Sequence, residues 1–283
     1  MKWRGRRRSG NVEDRRGMRA GGLAAGGGVV TLIVLAIALF TGTDPGELAE
    51  MVPPAPSATT GPAGPPPEDD EQAAFVSVVL ADTEETWQRI LPAAGGPQYQ
   101  EPTLVLFSDA VDSGCGFGRA AMGPFYCPLD GKVYLDLTFF RELDQRFGAP
   151  GDLARAYVVA HEVGHHVQNL LGLSEEAHRR RQQLSAAEGN ELSVRMELQA
   201  DCFAGVWAYH AETERDLLES GDLEEGLAAA AAIGDDRIQR ETQGRVSPES
   251  WTHGSSAQRV RWFRTGFESG DPARCDTLGA AAV

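Results

Sequence analysis

Two histidines four residues apart, with a glutamate beside the first, constrain this chain more than any other feature. They lie in the stretch 152–172, DLARAYVVAHEVGHHVQNLLG, as His161 and His165. On an α-helix, residues i and i+4 lie about one turn apart on the same face, so both imidazoles can bind one ion from a straight helix. The spacing therefore predicts a zinc site on a helix that spans this stretch. The alternative is a surface helix with chance histidines.

Two neighbours of the histidine pair have different predicted roles. Glu162 projects about 100° around the helix from His161, which is unfavourable for sharing the ion but suitable for taking a proton from a water at the metal. His166 points away from the pair, and we interpret it as a packing or supporting residue. Val159 and Val163 lie on the side opposite the histidines, so we expect that side of the helix to be buried.

A second helical stretch, 191–211, ELSVRMELQADCFAGVWAYHA, supplies a candidate third ligand. Glu197 shares a helix face with Asp201 and with alanines that permit close helix packing. Glu197 would complete a His, His, Glu set with one position open for water, as in catalytic zinc sites. Asp201 would accept a hydrogen bond from a ligand imidazole and fix its tautomer. The alternative is an ordinary amphipathic helix with exposed acids.

The N-terminal residues differ in charge from the rest of the chain. Residues 1–40 carry Lys2 and seven arginines against two acids, a net charge of +6, so the remainder of a chain of net charge −15 carries −21. Such acidity argues against a nucleic-acid partner. The segment 21–40 is uncharged over twenty residues, the length that spans a bilayer as a helix. A cleaved signal peptide is the alternative, because the strongly apolar part, 29–40, is short.

These features predict four regions. Residues 1–20 form a basic cytoplasmic tail, residues 21–40 a transmembrane helix, residues 41–70 a proline-rich linker and residues 71–283 an extracytoplasmic domain. Strands are expected near 103–108 and 132–138, where β-branched and aromatic residues are enriched. The glycine-rich section between them is expected to form a short strand or hairpin at a cleft edge that binds an extended peptide.

Four cysteines in an exported domain predict two disulfides, for which three connectivities are possible. We expect Cys115 to pair with Cys127, which closes a short glycine-rich segment. Cys202 would pair with Cys275 and fasten the C-terminal segment to the helix of Glu197. As a zinc ligand Cys202 would point off the metal face, so the disulfide is the better interpretation.

The last informative stretch, SPESWTHGSSAQRVRWF, places His253 in a turn ahead of a helix that carries Arg259. His253 is a candidate donor to a developing oxyanion, and the alternative is a solvated loop histidine. Arg259 is expected to brace the turn or an acidic neighbour. The stretch 222–239 is expected to be a further helix, to which no chemistry is assigned.

The motifs HEVGH and ELQAD together resemble the gluzincin peptidases, in which the glutamate of a Glu-x-x-x-Asp helix is the third zinc ligand. A wider set of motifs is similar to the bacterial neutral zinc metallopeptidase family over nearly the whole chain: NVEDRRG, YCP, VYLDL, HEVGHHVQ, ELQADCFAGVW, IGDD and THGSSAQRVRWF. The resemblance implies an α+β zincin-like domain with one zinc ion. In the related CAAX-prenyl-type proteases, a histidine and an arginine six residues later follow the metal helices. His253 and Arg259 fit that spacing, which implies that His253 faces the substrate.

Departures from related families limit what the resemblance implies. Thirty-two positions separate His165 from Glu197 (197 minus 165), more than in thermolysin-like enzymes, so the specificity pockets cannot be transferred. Metzincin membership is excluded, because Gln168 and Leu171 occupy positions where that family needs glycine and histidine.

We therefore expect a membrane-anchored zinc endopeptidase with a peptide or protein substrate. Glu162 would be the general base, His253 the oxyanion donor, and Zn²⁺ the single cofactor. Two other functions are compatible with the sequence. One is a non-catalytic zinc-stabilised scaffold for an envelope partner, which would not need Glu162. The other is a zinc hydrolase of a non-peptide amide such as one in the cell wall.

Overall fold

The structure, a computed structural model, describes residues 1–17 and 63–283. The described part is α+β. Its strands are β1 (Val12–Asp14), β2 (Thr103–Phe107), β3 (Ala110–Ser113), β4 (Gly116–Arg119), β5 (Phe125–Cys127) and β6 (Lys132–Asp136). Its α-helices are α1 (Glu71–Ala93), α2 (Thr138–Gln145), α3 (Asp152–Leu170), α4 (Leu173–Arg181), α5 (Ala186–Arg215), α6 (Asp222–Ala232), α7 (Asp235–Gln243) and α8 (Ser256–Ser269).

The main sheet has four strands in the order β1, β2, β6, β5. The central strands β2 and β6 are parallel and are buried at four of their five residues each, as expected for strands covered on both faces. β5 pairs antiparallel with β6 and forms one edge of the sheet. β3 and β4, which follow β2 and precede β5 along the chain, form a separate antiparallel hairpin.

Close packing of α3 against α5 brings the two predicted metal-bearing helices together. Gly164 permits this approach, because a Cβ added there would lie 2.9 Å from the carbonyl oxygen of Ala200. α5 and α8 approach in the same way at Gly205 and Gly266, where an added Cβ would overlap the backbone of the neighbouring helix. Larger side chains at these positions would separate the helices and the groups they carry.

Residues 1–17 pack against the rest of the domain. Trp3 is buried, its Nε1 donates to the Asp152 carboxylate at 3.1 Å, and its ring contacts Phe75 edge-on. β1 extends the main sheet by parallel pairing with β2. Arg16 forms an ion pair with Asp70 at 2.6 Å, next to the start of α1. These contacts make the N-terminal segment an integral part of the fold.

This packing corrects the predicted membrane topology. The span predicted at 21–40 lies outside the described residues. In the parts 1–17 and 63–283, no helix has both the length and the apolar composition needed to cross a membrane. Because residues 1–17 contact the domain directly, they cannot lie on the opposite side of a membrane from it. The prediction of a single-pass cell-membrane protein, with a cytoplasmic N-terminus and an extracytoplasmic domain behind one transmembrane helix, is therefore wrong.

Candidate metal centre

Three predicted ligands meet where α3 and α5 are in contact. α3 carries His161 and His165, and α5 carries Glu197. The Nε2 atom of His161 lies 3.2 Å from Oε2 of Glu197, and Nε2 of His165 lies 3.4 Å from Oε1 of the same carboxylate. One ligand atom from each residue lies within 4.8 Å of the other two. The structure thus brings the three side chains around one point.

The geometry of this donor set fits a zinc ion. Ligands bound tetrahedrally at zinc–ligand distances of about 2.0–2.1 Å lie about 3.3 Å from one another. The two imidazole nitrogens lie 3.2 and 3.4 Å from the Glu197 carboxylate, each from a different oxygen, which is close to that separation. Although burial opposes the charged imidazoles, the neighbouring carboxylates raise the pKa of His161 and of His165. The surroundings of the two imidazoles therefore favour a cation, either protons or a metal ion.

Buried groups behind the site hold His161. Its Nδ1 lies 2.8 Å from Oδ1 of Asp201, which is fully buried. Tyr157 donates its hydroxyl hydrogen to the same oxygen. Arg259 donates from Nε and Nη2 to the two oxygens of Asp201 at 2.8 and 2.9 Å. Burial raises the pKa of Asp201, but the charges of Arg259 and His161 outweigh this effect and the pKa is lowered. The carboxylate therefore stays ionised and accepts the Nδ1 hydrogen of His161.

Glu162 and His166, the neighbours of the ligands on α3, differ in environment. Glu162 is 8% exposed and lines the cleft above the three ligands. Burial raises the pKa of its carboxyl group. His166 is buried away from the three ligands, with Nδ1 3.0 Å from the hydroxyl of Tyr126 and Nε2 facing the carbonyl oxygen of Gln100. His166 thus has a packing role, whereas Glu162 is available to a group in the cleft.

His253 faces the same cleft from the loop before α8. Its ring Nδ1 lies 3.2 Å from Oδ1 of Asp235. The other oxygen of Asp235 accepts the backbone N–H groups of Thr252, His253 and Gly254 at 2.7–3.0 Å. The hydrogen bond that the ring donates to the Asp235 carboxylate raises the pKa of His253. The side chain of His253 is 52% exposed, so a bound molecule can reach it.

Asp235 is a site residue that the sequence interpretation missed. The predicted helix over 222–239 is two helices, α6 and α7, which meet at Gly234. Gly234 is required there because an added Cβ would overlap the backbone at Ser256. Asp235 begins α7 directly after this break and turns its carboxylate to the loop of His253. The motif IGDD was the available signal, but nothing in the sequence linked it to a loop eighteen residues away.

The three ligands, Glu162 and His253 line a cleft of about 710 Å³. Edge strand β5 and the residues before it, Met122 to Pro124, line one wall. Apolar side chains from α2 and from the α6–α7 junction, including Phe139 and Ile233, line another part. His178 lies on α4 at the cleft and outside the group of three ligands.

Both expected disulfides are present. Cys115 is bonded to Cys127 and joins the β3–β4 turn to the end of β5, the strand that borders the cleft. Cys202 is bonded to Cys275 and fastens the C-terminal segment to α5, one residue after Asp201. The described residues contain no free cysteine.

Comparisons with known proteins identify the family of the chain. The chain is 50% identical over 288 residues to "Uncharacterized protein YpfJ" of Escherichia coli K12, covering 99% of each protein. It is 49% identical over 205 residues to "Uncharacterized protein Rv2575" of Mycobacterium tuberculosis H37Rv, covering 69% of this chain and 67% of that protein. No solved structure matches. The profile of the family described as "Putative neutral zinc metallopeptidase" matches residues 1–278. Since that match extends over nearly the whole chain, the protein belongs to this family of zinc metallopeptidases.

Proposed function

We propose that this protein is a zinc-dependent endopeptidase that hydrolyses peptide bonds. The observation that carries the proposal is the convergence of His161, His165 and Glu197 beside Glu162 in one cleft. Family membership supports zinc as the metal.

One zinc ion per chain would be held by His161, His165 and Glu197. When bound, the ion supplies Lewis acidity, which polarises a carbonyl group and makes water a nucleophile near neutral pH. The residues behind the ligands preserve this acidity. Arg259 offsets the charge of Asp201 through two hydrogen bonds. Among the three ligands and the Asp201–Arg259 pair behind them, the net negative charge therefore comes from Glu197 alone.

Glu162 is the general base in this proposal. Because burial raises the pKa of its carboxyl group, the group lies closer to the range in which it can both take and return a proton. It takes a proton from the attacking water and returns it to the leaving amine. A scaffold that binds zinc only for stability has no need of this carboxylate, so its position in the cleft favours an enzyme.

His253 is the proposed donor to the carbonyl oxygen as negative charge develops there. The ring is oriented by Asp235, and the loop that carries it is fixed by three backbone hydrogen bonds to the same carboxylate. The raised pKa of His253 keeps the ring protonated over more of the neutral range. A charged donor stabilises a developing oxyanion more than a neutral donor does. Asp235 is thus a positioning residue, because it acts through His253.

Edge strand β5 is the proposed binding site for an extended peptide. β5 is the last strand of the main sheet and borders the cleft above α3. An extended peptide can add to such an edge by main-chain hydrogen bonds, with side-chain pockets providing specificity. The apolar side chains of Phe139 and Ile233 would favour an apolar substrate side chain nearby. A cell-wall amide would gain less from a strand edge than a peptide would.

The proposal is tested by Glu162→Gln in the purified full chain, with unstructured protein as substrate and mass spectrometry of the new termini. We expect loss of hydrolysis with near-stoichiometric zinc, because the change removes the base and leaves the ligands intact. Glu142→Gln, at another acid of the same cleft, is the matched control and should keep its activity. Glu197→Gln should instead lower zinc content, because a ligand is lost.

Each other outcome has a definite meaning. Undiminished turnover in Glu162→Gln would remove this residue as the base. A zinc-loaded wild type that cleaves no peptide bond would refute the endopeptidase assignment, and hydrolysis of a cell-wall amide by it would identify the other chemistry.

A further inference from the structure

We propose that Gln168 and Gln199 form a one-directional hydrogen-bond chain that fixes the tautomer of His165, so that its Nε2 presents a lone pair to the metal. The inference rests on the zinc site of the proposed function and adds two positioning residues to it. Both glutamines are buried, at 0% and 5% exposure, and neither was predicted to have a role at the site.

The chain of contacts runs from α3 through α5 to the C-terminal segment. Nδ1 of His165 lies 2.9 Å from Oε1 of Gln168. Nε2 of Gln168 donates to the carbonyl oxygen of Met196 at 2.7 Å and to Oε1 of Gln199 at 3.1 Å. Nε2 of Gln199 then donates to the carbonyl oxygen of Cys275 at 2.9 Å.

Backbone carbonyls determine the direction of this chain, because a carbonyl oxygen can only accept. Gln199 must turn its NH₂ group to Cys275, and its oxygen is then the atom that faces Gln168. Gln168 must turn its NH₂ group to Met196, and its oxygen then faces His165. One backbone carbonyl acceptor at each glutamine leaves a single arrangement for the two amides. The orientation of both side chains thus follows from the fold and not from a choice between similar atoms.

The tautomer of His165 follows from the same argument. Oε1 of Gln168 is an acceptor, so the His165 atom beside it, Nδ1, must carry hydrogen. A neutral imidazole has one N–H group, so Nε2 holds the lone pair. That Nε2 is the atom 3.4 Å from the Glu197 carboxylate, at the metal centre. The glutamine chain thereby selects the form of His165 that can bind a metal ion.

The two histidine ligands are oriented by different chemistry. Asp201, an ionised carboxylate, orients His161, whereas the neutral amide of Gln168 orients His165. A second negative charge beside the ion would weaken its Lewis acidity, and the neutral amide fixes the ring without adding one. The chain also ends near structural anchors. Met196 precedes the ligand Glu197, and Cys275 is bonded to Cys202 on α5.

Simple satisfaction of buried polar groups does not account for this arrangement. Burying two amides is costly unless they are hydrogen-bonded, and apolar residues would fill the space at lower cost. A purely structural pair would stabilise the fold with no effect on the ligand ring. The contact from Gln168 to His165 makes the two interpretations separable, because only the positioning role changes metal affinity in a folded protein.

The test compares zinc affinities of the folded full chain by chelator competition. Gln168→Met removes the amide and retains much of the side-chain length. We expect zinc binding about 10–100-fold weaker, the usual effect of losing a group that orients a ligand. Gln199→Met should have a smaller effect, because the Met196 carbonyl still orients Gln168. The matched control is Asn169→Leu, on the same helix as Gln168, which removes the hydrogen bond from Asn169 to Tyr126 of β5 and should change affinity by less than about twofold.

A second measurement on the wild type does not depend on any variant. In protein with ¹⁵N-labelled histidine, the His165 signals are assigned in the metal-free form by their loss in His165→Ala and are then followed as zinc is added. Long-range ¹H–¹⁵N spectra of the zinc-loaded form should show His165 with hydrogen on Nδ1. Hydrogen on Nε2 of His165 would overturn the inference, as would wild-type zinc affinity in folded Gln168→Met. If Gln168→Met fails to fold, the spectrum and the Gln199→Met variant still test the inference. Gln199→Met supports it only if this variant binds zinc more weakly than the Asn169→Leu control does. Wild type that binds no zinc would refute the proposed function itself.

Discussion

Replacing Arg259 by methionine should destabilise the protein strongly, because it leaves Asp201 charged and buried. Arg259 is 2% exposed and Asp201 is fully buried, and two hydrogen bonds of 2.8 and 2.9 Å join them. After the change, Asp201 keeps its contacts with Tyr157 and His161 but loses the Arg259 guanidinium, so its buried charge is no longer fully compensated. Breaking a buried ion pair by removing one partner costs about 3–5 kcal/mol of the free energy of unfolding. For a domain of this size, that corresponds to a fall in Tm of about 6–20 °C.

The assay is thermal and denaturant unfolding of metal-free protein, so that zinc binding does not contribute to the measured stability. Arg264→Met is the control, because Arg264 is exposed on the same helix. The double variant Asp201→Asn with Arg259→Met should be more stable than Arg259→Met alone, since the uncompensated charge is gone. A loss no larger than that of Arg264→Met would show that Asp201 does not need the guanidinium, and would refute the reasoning.

Three further predictions concern the loop of His253 and the disulfides. His253→Ala should lower kcat by about 10²–10³-fold with zinc content and KM little changed, as measured by steady-state kinetics and metal analysis, and an unaltered kcat would return His253 to a solvated loop residue. Asp235→Asn removes the carboxylate that raises the pKa of His253, so the alkaline limb of the pH–kcat profile should move to lower pH, and an unmoved limb would exclude protonated His253 as the donor. The Cys202–Cys275 bond joins residues 73 apart and the Cys115–Cys127 bond joins residues 12 apart. From loop closure, loss of the first should lower the free energy of unfolding, measured with denaturant, by about 1.6 kcal/mol more than loss of the second, and equal losses would contradict this estimate.

The elements at the site could be predicted from the sequence because their signals are local. The four-residue spacing of His161 and His165 depends only on helix geometry, and Glu197 and Asp201 share a face for the same reason. α3 and α5 are both single helices over the expected stretches. That the two helices meet at Gly164 and Ala200 is a tertiary fact, which local periodicity does not contain.

The groups that support the ligands were harder to predict because their partners are distant in sequence. From the sequence, Gln168 is notable only as a departure from the metzincin motif, yet its amide lies between His165 and two acceptors on α5. Likewise, the hydroxyl of Tyr157 donates to buried Asp201, forty-four residues further along the chain. An aromatic hydroxyl does not reveal from sequence whether it faces a cavity or a buried carboxylate.

The basic N-terminal segment is where composition was the poorest guide. A count of charge along the chain treats its arginines as one solvated cluster, which the positive-inside rule assigns to the cytoplasm. In the structure three of them pair with acids far away in sequence: Arg4 with Glu71, Arg7 with Glu84 at 3.3 Å and Arg16 with Asp70. A high positive charge indicates a solvated tail only when the apolar side chains of the same segment do not contact the rest of the domain. Trp3 has two, the ring of Phe75 and the carboxylate of Asp152. Because Asp152 is the first residue of α3, the N-terminal segment holds the start of the helix that carries His161 and His165, and it therefore supports the metal centre from outside the helix pair.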